Sequence, residues 1–393
     1  MKEKTYWISN AQILRPDGLE AGGLLVRAGR IEGFTKHNPD GRPEIDAGGG
    51  YLYPSFVDIH THGAIYVDVN LASMEELEKL ARYFASQGTG HFLASILTDT
   101  EEQTLAQIRL CRDFIRRQRQ GDFPGAELLG IHLEGPCLAH EYKGAMPEHL
   151  LRGGDIDLLR RYLAEADGEI RYITVAPELP GVLDCIEELR RRGVHVAIGH
   201  TGADYACCRE AIYRGAEAVT HCGNAMRLIH QHEPAVLGTT MEMPIYAEMI
   251  CDGRHLHPAF VRLLLASKGY RQLIAVSDSM MAAGLPDGDY RLGVNEVVVT
   301  DGDAQLKNGG GRAGSTLTMI QALRNMRYFT GLPLWKLQYL SSANAARLLQ
   351  YEQRFGLLEE GLSADFLLLD EDYSIRRHWR QGELIYVREG EKL

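Results

Sequence analysis

From residue 54 to residue 276 short apolar runs alternate with segments of helical spacing, and this alternation restricts the fold more than any other feature of the chain. Helical spacing covers 73–87, 100–118, 156–166, 182–192, 203–214 and 258–268. The apolar runs between and around them are 91–97, 128–133, 170–175, 194–198, 218–220, 246–250 and 273–276. A strand that is apolar throughout has both faces covered. Helices that carry the chain back to the same edge leave successive strands parallel. About 300 residues of this pattern predict an α/β fold, an eight-stranded (β/α)8 barrel of the TIM type.

The two ends of the chain read differently. Residues 1–53 are β-rich, with turns at Pro16-Asp17-Gly18 and around Gly29, and a break at Gly48-Gly49-Gly50. Residues 356–393 repeat that character, with apolar runs at 366–369, 375–379 and 384–387 separated by turn residues. The expectation is one small β-sandwich domain built from 1–53 and 356–393, beside a barrel of 54–355. The Gly-, Asp- and Asn-rich stretch 286–311 surrounds Glu296-Val297-Val298-Val299-Thr300 and predicts a β-hairpin insertion near the barrel mouth.

Charge and cysteine usage narrow the partners and the compartment. The formal net charge is −11, which argues against nucleic acid and anionic membrane surfaces as partners. The start of the chain lacks the apolar core of a signal peptide, and no stretch reaches transmembrane length. The cysteines number seven and have no paired-motif spacing. They read as reduced thiols of a cytoplasmic protein, with Cys137, Cys222 and Cys251 as small packing residues.

In a barrel of this kind the chemistry sits at the carboxyl ends of the strands. The run Pro54-Ser55-Phe56-Val57-Asp58-Ile59-His60-Thr61-His62-Gly63 ends in two histidines one residue apart. In a strand, residues i and i+2 share a face, so His60 and His62 project together. Glu134 ends the run that begins at Leu128, and His200 follows the run that begins at Val194. His221 follows Ala218-Val219-Thr220, and Asp278 follows Leu273-Ile274-Ala275-Val276-Ser277. Imidazoles and carboxylates converging on one face suit a divalent metal, Zn²⁺ or Fe²⁺. Such an ion lowers the pKa of a water to about 7 and polarises a carbonyl. Asp278 is the candidate general base. His132 and His195 lie inside strands and read as core or supporting residues. Glu178 and His91 also read as strand-end residues that could line the mouth.

These motifs together resemble the N-acetylglucosamine-6-phosphate deacetylase family of the amidohydrolase superfamily. The resemblance extends through Gly199-His200-Thr201, Asn224-Ala225-Met226, Asp252-Gly253 with His255, Ser277-Asp278-Ser279-Met280 and Gly314-Ser315-Thr316. It implies a hydrolase of linear amides that removes the acetyl group of an amino sugar, most simply N-acetylglucosamine 6-phosphate. It implies one metal on Glu134, His200 and His221, and a second on His60 and His62 with Glu134 bridging. It also implies sugar contacts from Ala145, Asn224, Ala225, His255 and the backbone around Arg312, Ala313 and Gly314, in a homodimer. Three positions depart from the family pattern. Met146 stands where the family has a histidine near the acyl group. His232 stands where it has a phosphate-binding arginine, and Arg312 where it has an apolar residue. Arg and His are not equivalent phosphate clamps. Either Arg227, Arg254 or Arg312 has taken over the phosphate, or the substrate is an unphosphorylated or carboxylated N-acyl sugar. A non-catalytic sugar sensor is the reading from another class, and Asp278 argues against it.

Overall fold

Eight parallel strands form the centre of the computed structural model, which describes residues 5–121, 123–309 and 311–391. The first four residues of the amino-terminal stretch, read above for a signal peptide, lie outside the described residues. The strands are β1 (Phe56–Thr61), β2 (Thr89–Leu97), β3 (Glu127–Glu134), β4 (Ile170–Val175), β5 (His195–Ile198), β6 (Ala216–Val219), β7 (Tyr246–Ile250) and β8 (Leu273–Val276). Each pairs with the next in parallel. Beyond the last strand the ring is drawn together at its carboxyl edge. There the Asp278 N–H donates to His60 O at 2.9 Å and the His62 N–H to Ser279 O at 2.7 Å. Asp58 reinforces this seam, because its Oδ1 accepts from the Ser277 N–H at 3.2 Å. This is the α/β barrel that the alternation predicts.

The helices form where a cap and an apolar stripe coincide. Met74–Ser86 starts at a capping box in which the Ser73 side chain accepts from the Glu76 N–H and the Glu76 side chain from the Ser73 N–H. Its Leu77, Leu80, Ala81 and Phe84 are buried against the barrel. The side chains of Thr100, Asp155 and Asp204 cap the helices Glu101–Gln120, Ile156–Ala166 and Tyr205–Tyr213 by accepting from the N–H of Gln103, Leu158 and Cys207. A second apolar cluster fills the barrel itself, with Val57, Leu93, Leu129, Tyr172, Ile250 and Ile274. None of the helices among the described residues is long and apolar enough to cross a membrane. All seven cysteines are free, and only Cys207 is partly exposed.

The two ends of the chain meet in one hydrogen-bonded sheet. Tyr51–Pro54 runs antiparallel to Phe366–Leu369, with Leu52 opposite Leu368. Thr5–Arg15 and Gly18–Arg27 extend it on one side, and Ile375–Arg380 and Glu383–Val387 on the other. Ile8, Ile13, Leu24, Phe366 and Trp379 form its own core.

Two sequence expectations need correction. Residues 286–311 hold three antiparallel strands rather than a hairpin: β9 (Gly288–Leu292), β10 (Asn295–Thr300) and β11 (Asp303–Leu306). Asp301 and Gly302 turn the chain once more, and β11 covers an edge of β10 that a hairpin would leave open. His91 lies near the start of β2 rather than at its end. It is stacked on Phe355 at 3.8 Å and lies 3.0 Å from Asp365 at the terminal sheet, remote from the mouth.

Candidate active site

Glu134 ends β3 in the middle of four imidazoles, and its carboxylate is almost fully buried. Its Oε1 lies 3.4 Å from His60 Nε2, 3.1 Å from His200 Nε2 and 3.3 Å from His221 Nε2. Its Oε2 lies 3.2 Å from His62 Nε2. Two donor triads result, His60–His62–Glu134 and Glu134–His200–His221, and they share the carboxylate. Asp278 Oδ1 completes the group, 3.2 Å from His62 Nε2 and 3.6 Å from His60 Nε2.

Local backbone explains how strand ends deliver these groups. In β1, Asp58 lies opposite Phe92 and Thr61 opposite Ala94, so the register slips by one residue between them. Such an irregularity re-aims the side chains beyond it. His200, His221 and Asp278 adopt left-handed backbone, with φ of 49°, 29° and 47°. Non-glycine residues in that region cost energy and persist where the surroundings over-determine them, which is typical of functional sites. Gly314 (φ 61°) passes so close that a Cβ there would meet Met280 Cβ at 3.1 Å and Asp278 O at 3.2 Å.

The donor set fits a divalent ion. His200 Nε2 and His221 Nε2 stand 3.0 Å apart, and His60 Nε2 and His62 Nε2 3.3 Å apart. Paired imidazole nitrogens beside one carboxylate bring lone pairs together and need a shared positive centre. Ligands roughly 2.0–2.2 Å from one tetrahedral ion stand ~3.3–3.6 Å from each other, close to these spacings. The protonation preferences agree. Burial raises and the surrounding imidazoles lower the Glu134 carboxyl, and the imidazoles win, holding it well below the usual range. Burial lowers the His60 imidazole, but Glu134, Asp278 and Glu248 hold it well above its usual value. Asp278 is lowered by His60 and His62 against its own burial. The cluster gathers cations.

A ring of buried polar groups supports the ligands from inside the barrel. Glu248 of β7 accepts from Tyr172 OH at 2.6 Å and lies 3.0 Å from His60 Nδ1. Ser95 Oγ lies 2.8 Å from His132 Nδ1, and Thr174 Oγ1 lies 2.9 Å from His132 Nε2. His62 Nδ1 lies 3.1 Å from Ser95 O, and His200 Nδ1 2.7 Å from Tyr142 O. His132 is thus a supporting residue, edge-on to His60 at 4.6 Å. His195 pairs with Glu217 at 2.7 Å at the start of β5, away from the site. Glu178 does reach the carboxyl face, where it accepts from the Gly202 N–H at 2.6 Å and from Thr201.

Above the cluster opens a cavity of about 350 Å³. Of the residues singled out in the sequence, His62, Glu134, His200, His221 and Asp278 form its floor. Ala145, Met146, Asn224, Ala225 and His255 line its walls, together with Arg312, Ala313 and Gly314. His60 lies fully buried beneath. His232 is not brought in: it lies on an exposed loop and does not line the cavity. Among the described residues Arg312 is the one arginine of the lining, and Arg227 and Arg254 are outside it. Asp303 holds Arg312 through Nε at 2.8 Å and Nη2 at 3.1 Å, which leaves the remaining guanidinium N–H groups free to donate. Asp252 lies 2.6 Å from His255 Nδ1, leaving Nε2 to the cavity. Met146 is buried with Leu97 and Leu292 in an apolar wall backed by β9 to β11.

Sequence reasoning missed Glu248, Tyr142, Glu141, Leu97 and Leu292. Glu248 alone carried a signal, as a lone carboxylate inside the strand Tyr246–Ile250.

Known proteins resemble the chain over most of its length. A model of the amidohydrolase family matches residues 51–387. The N-acetylglucosamine-6-phosphate deacetylase of Vibrio furnissii is 34% identical over 351 residues, 88% of this chain and 86% of the relative. The N-acetylgalactosamine-6-phosphate deacetylase of Escherichia coli O157:H7 is 34% identical over 334 residues, 85% of this chain and 87% of the relative. A mutant N-acetyl-D-glucosamine-6-phosphate deacetylase from Mycobacterium smegmatis, solved with N-acetyl-D-glucosamine-6-phosphate, superposes with a TM-score of 0.90 at 31% identity. That match covers 98% of this chain and 100% of the other.

Proposed function

The chain belongs to the N-acetylglucosamine-6-phosphate deacetylase family of the amidohydrolases, and on that premise we propose that it hydrolyses the N-acetyl amide of N-acetylglucosamine 6-phosphate. The products are acetate and glucosamine 6-phosphate. The observation that carries this reading is Asp278 beside two donor triads that share Glu134, on the floor of a cavity.

His60, His62, Glu134, His200 and His221 are the residues that would hold the metal. Their imidazole and carboxylate donors suit Zn²⁺, as one ion or two, with Fe²⁺ second. A divalent ion bound there supplies Lewis-acid polarisation of the amide carbonyl and makes a water acidic near neutral pH. The remaining steps belong to the chain. Asp278, ionised at neutral pH, takes the proton of the attacking water as its oxygen bonds to the acetyl carbon. It returns that proton to the sugar nitrogen as the C–N bond breaks, so the amine leaves neutral and the acetyl group leaves as acetic acid, whose remaining proton passes to solvent or to the amine to give acetate.

The walls fit the same substrate. Met146, Leu97 and Leu292 give the small methyl group a dry surface. Asn224 and His255 offer polar groups to sugar hydroxyls. Arg312, pre-oriented by Asp303, takes the phosphate in place of the family arginine. The chain works in the cytoplasm as a homodimer in this reading. Leu228 and Ile229 support the dimer, since they are 75% and 49% exposed on the loop that also carries His232. The C4 epimer, N-acetylgalactosamine 6-phosphate, is a second reading, supported by the equally similar relative that acts on it.

The test is amine release by the zinc-loaded protein from N-acetylglucosamine 6-phosphate, its galacto epimer and unphosphorylated N-acetylglucosamine. A marked preference for a phosphorylated sugar is expected. Equal rates with and without phosphate would remove the phosphate assignment. No amine from any of the three would overturn the reading.

A further inference from the structure

Beneath the donor cluster lies a carboxylate to which the reaction gives no task. Glu248 sits in the middle of β7 and is 0% exposed. A buried carboxylate is costly unless its oxygens are bonded, and both are engaged. Oε1 accepts from Tyr172 OH at 2.6 Å. Oε2 accepts from the His221 backbone N–H at 3.1 Å and lies 3.0 Å from His60 Nδ1. One oxygen therefore touches a residue from each donor triad: the ring of His60 and the backbone of His221.

We propose that Glu248, braced by Tyr172, is the positioning residue of the metal centre. Its carboxylate accepts Nδ1–H of His60. When the ring is neutral, this selects the tautomer in which Nε2 carries no proton and faces Glu134. The same oxygen ties down the left-handed turn that presents His221. Imidazole ligands commonly give their second nitrogen to a carboxylate, and loss of such a partner weakens metal binding ~10–100-fold. His62 and His200 have only backbone carbonyls in that role, from Ser95 and Tyr142. His221 Nδ1 is buried with no hydrogen-bond partner among the described residues. Among the described residues Glu248 is therefore the one carboxylate bonded to the second ring nitrogen of any of the four histidines, and its effect falls mainly on the His60–His62–Glu134 triad. The inference rests on the metal reading given above.

The experiment measures zinc retention against a competing chelator for wild type, Glu248→Gln, Glu248→Leu and Tyr172→Phe, each checked for folding by circular dichroism. Glu127→Gln is the control. It alters another, half-buried carboxylate, at the far end of the barrel, where Glu127 pairs with Arg354 and His91. Expected are a ~10-fold loss of affinity for Glu248→Gln, up to ~100-fold for Glu248→Leu, and a smaller loss for Tyr172→Phe. The control should lose stability without losing zinc. Nitrogen NMR of the zinc-loaded protein gives a second readout: a protonated His60 Nδ1 in wild type, shifted in Glu248→Gln. If Glu248→Leu fails to fold, the two milder variants carry the test. Folded Glu248 variants that hold zinc as tightly as wild type overturn the proposal alone. A wild-type chain that retains no divalent ion overturns the metal reading, and the proposal falls with it.

Discussion

Asp278 Oδ1 lies 3.2 Å from His62 Nε2, across the seam where β8 meets β1. The contact joins the last barrel strand to the first, and it places an ionised carboxylate beside the clustered imidazoles. If Asp278 is the proton shuttle, Asp278→Asn keeps the shape and loses the base. The rate should fall at least ~10²-fold, with zinc content unchanged by elemental analysis. A fall in zinc content matching the fall in rate would make Asp278 a ligand first.

Removing the metal should act on stability as well as on rate. Four imidazoles and Glu134 converge, with no lysine or arginine among the described residues of the cluster. An ion that binds only the folded chain stabilises it by about 4 kcal/mol at a thousand times its Kd. Dialysis against a chelator should abolish amine release and lower Tm by several degrees, and added Zn²⁺ should restore both. A Tm indifferent to chelator and zinc would argue against the site.

Arg312 offers a sharper test of the substrate. A hydrogen bond to a charged group contributes about 1.5–3 kcal/mol, so Arg312→Gln should raise KM for the phosphorylated sugar ~10–100-fold. The constants for the unphosphorylated sugar should not move. Arg254→Gln should leave both unchanged, because Arg254 donates to Asp301 O and lies outside the cavity lining. Equal effects of the two variants would remove Arg312 from the phosphate site.

His378 gives the junction between terminal sheet and barrel a pH dependence. Its Nδ1 lies 2.7 Å from Ala85 O and its Nε2 2.8 Å from Ser55 Oγ. Burial pushes the imidazole down to about 4 from its ordinary value of 6.5, against the pull of Ala85 O and Asp365. A base with a depressed folded pKa is protonated first in the unfolded chain. The stability it contributes is complete above pH 6.5 and is lost as the pH falls toward 4. Compared by urea unfolding, His378→Gln should therefore gain on wild type as the pH drops through that window. A difference between the two that is flat with pH would show that His378 does not carry the effect.

Much of the site was legible because its signals are local. A run of four to eight apolar residues followed by His, Glu or Asp reads as a strand that delivers a ligand. The period of the strand set His60 and His62 side by side, and cavity-lining residues came from motifs a few residues long. His91 and His132 show the limit. Both belong to apolar strands, yet one lies beside the terminal sheet and the other lies under His60. Position along the strand decided between them, and strand boundaries are the least legible feature of a sequence.

The amino-acid sequence by itself determined the barrel, the joining of the two chain ends, and the set of side chains able to hold a metal and move a proton. Each follows from periodicity and residue chemistry within a few neighbours. Only the tertiary structure decided what depends on distant parts of the chain. Closure of β8 onto β1 brought Asp278 to His62 from more than two hundred residues away. Packing of β1 against its neighbours, with a slip in register between Asp58 and Thr61, brought His60 to Glu134 and Glu248. The third strand of the insertion gave Arg312 its partner Asp303. A carboxylate such as Glu248 has no meaning in its own strand. It gains one when β1, β4 and the end of β6 close around it and leave its oxygens no water to turn to.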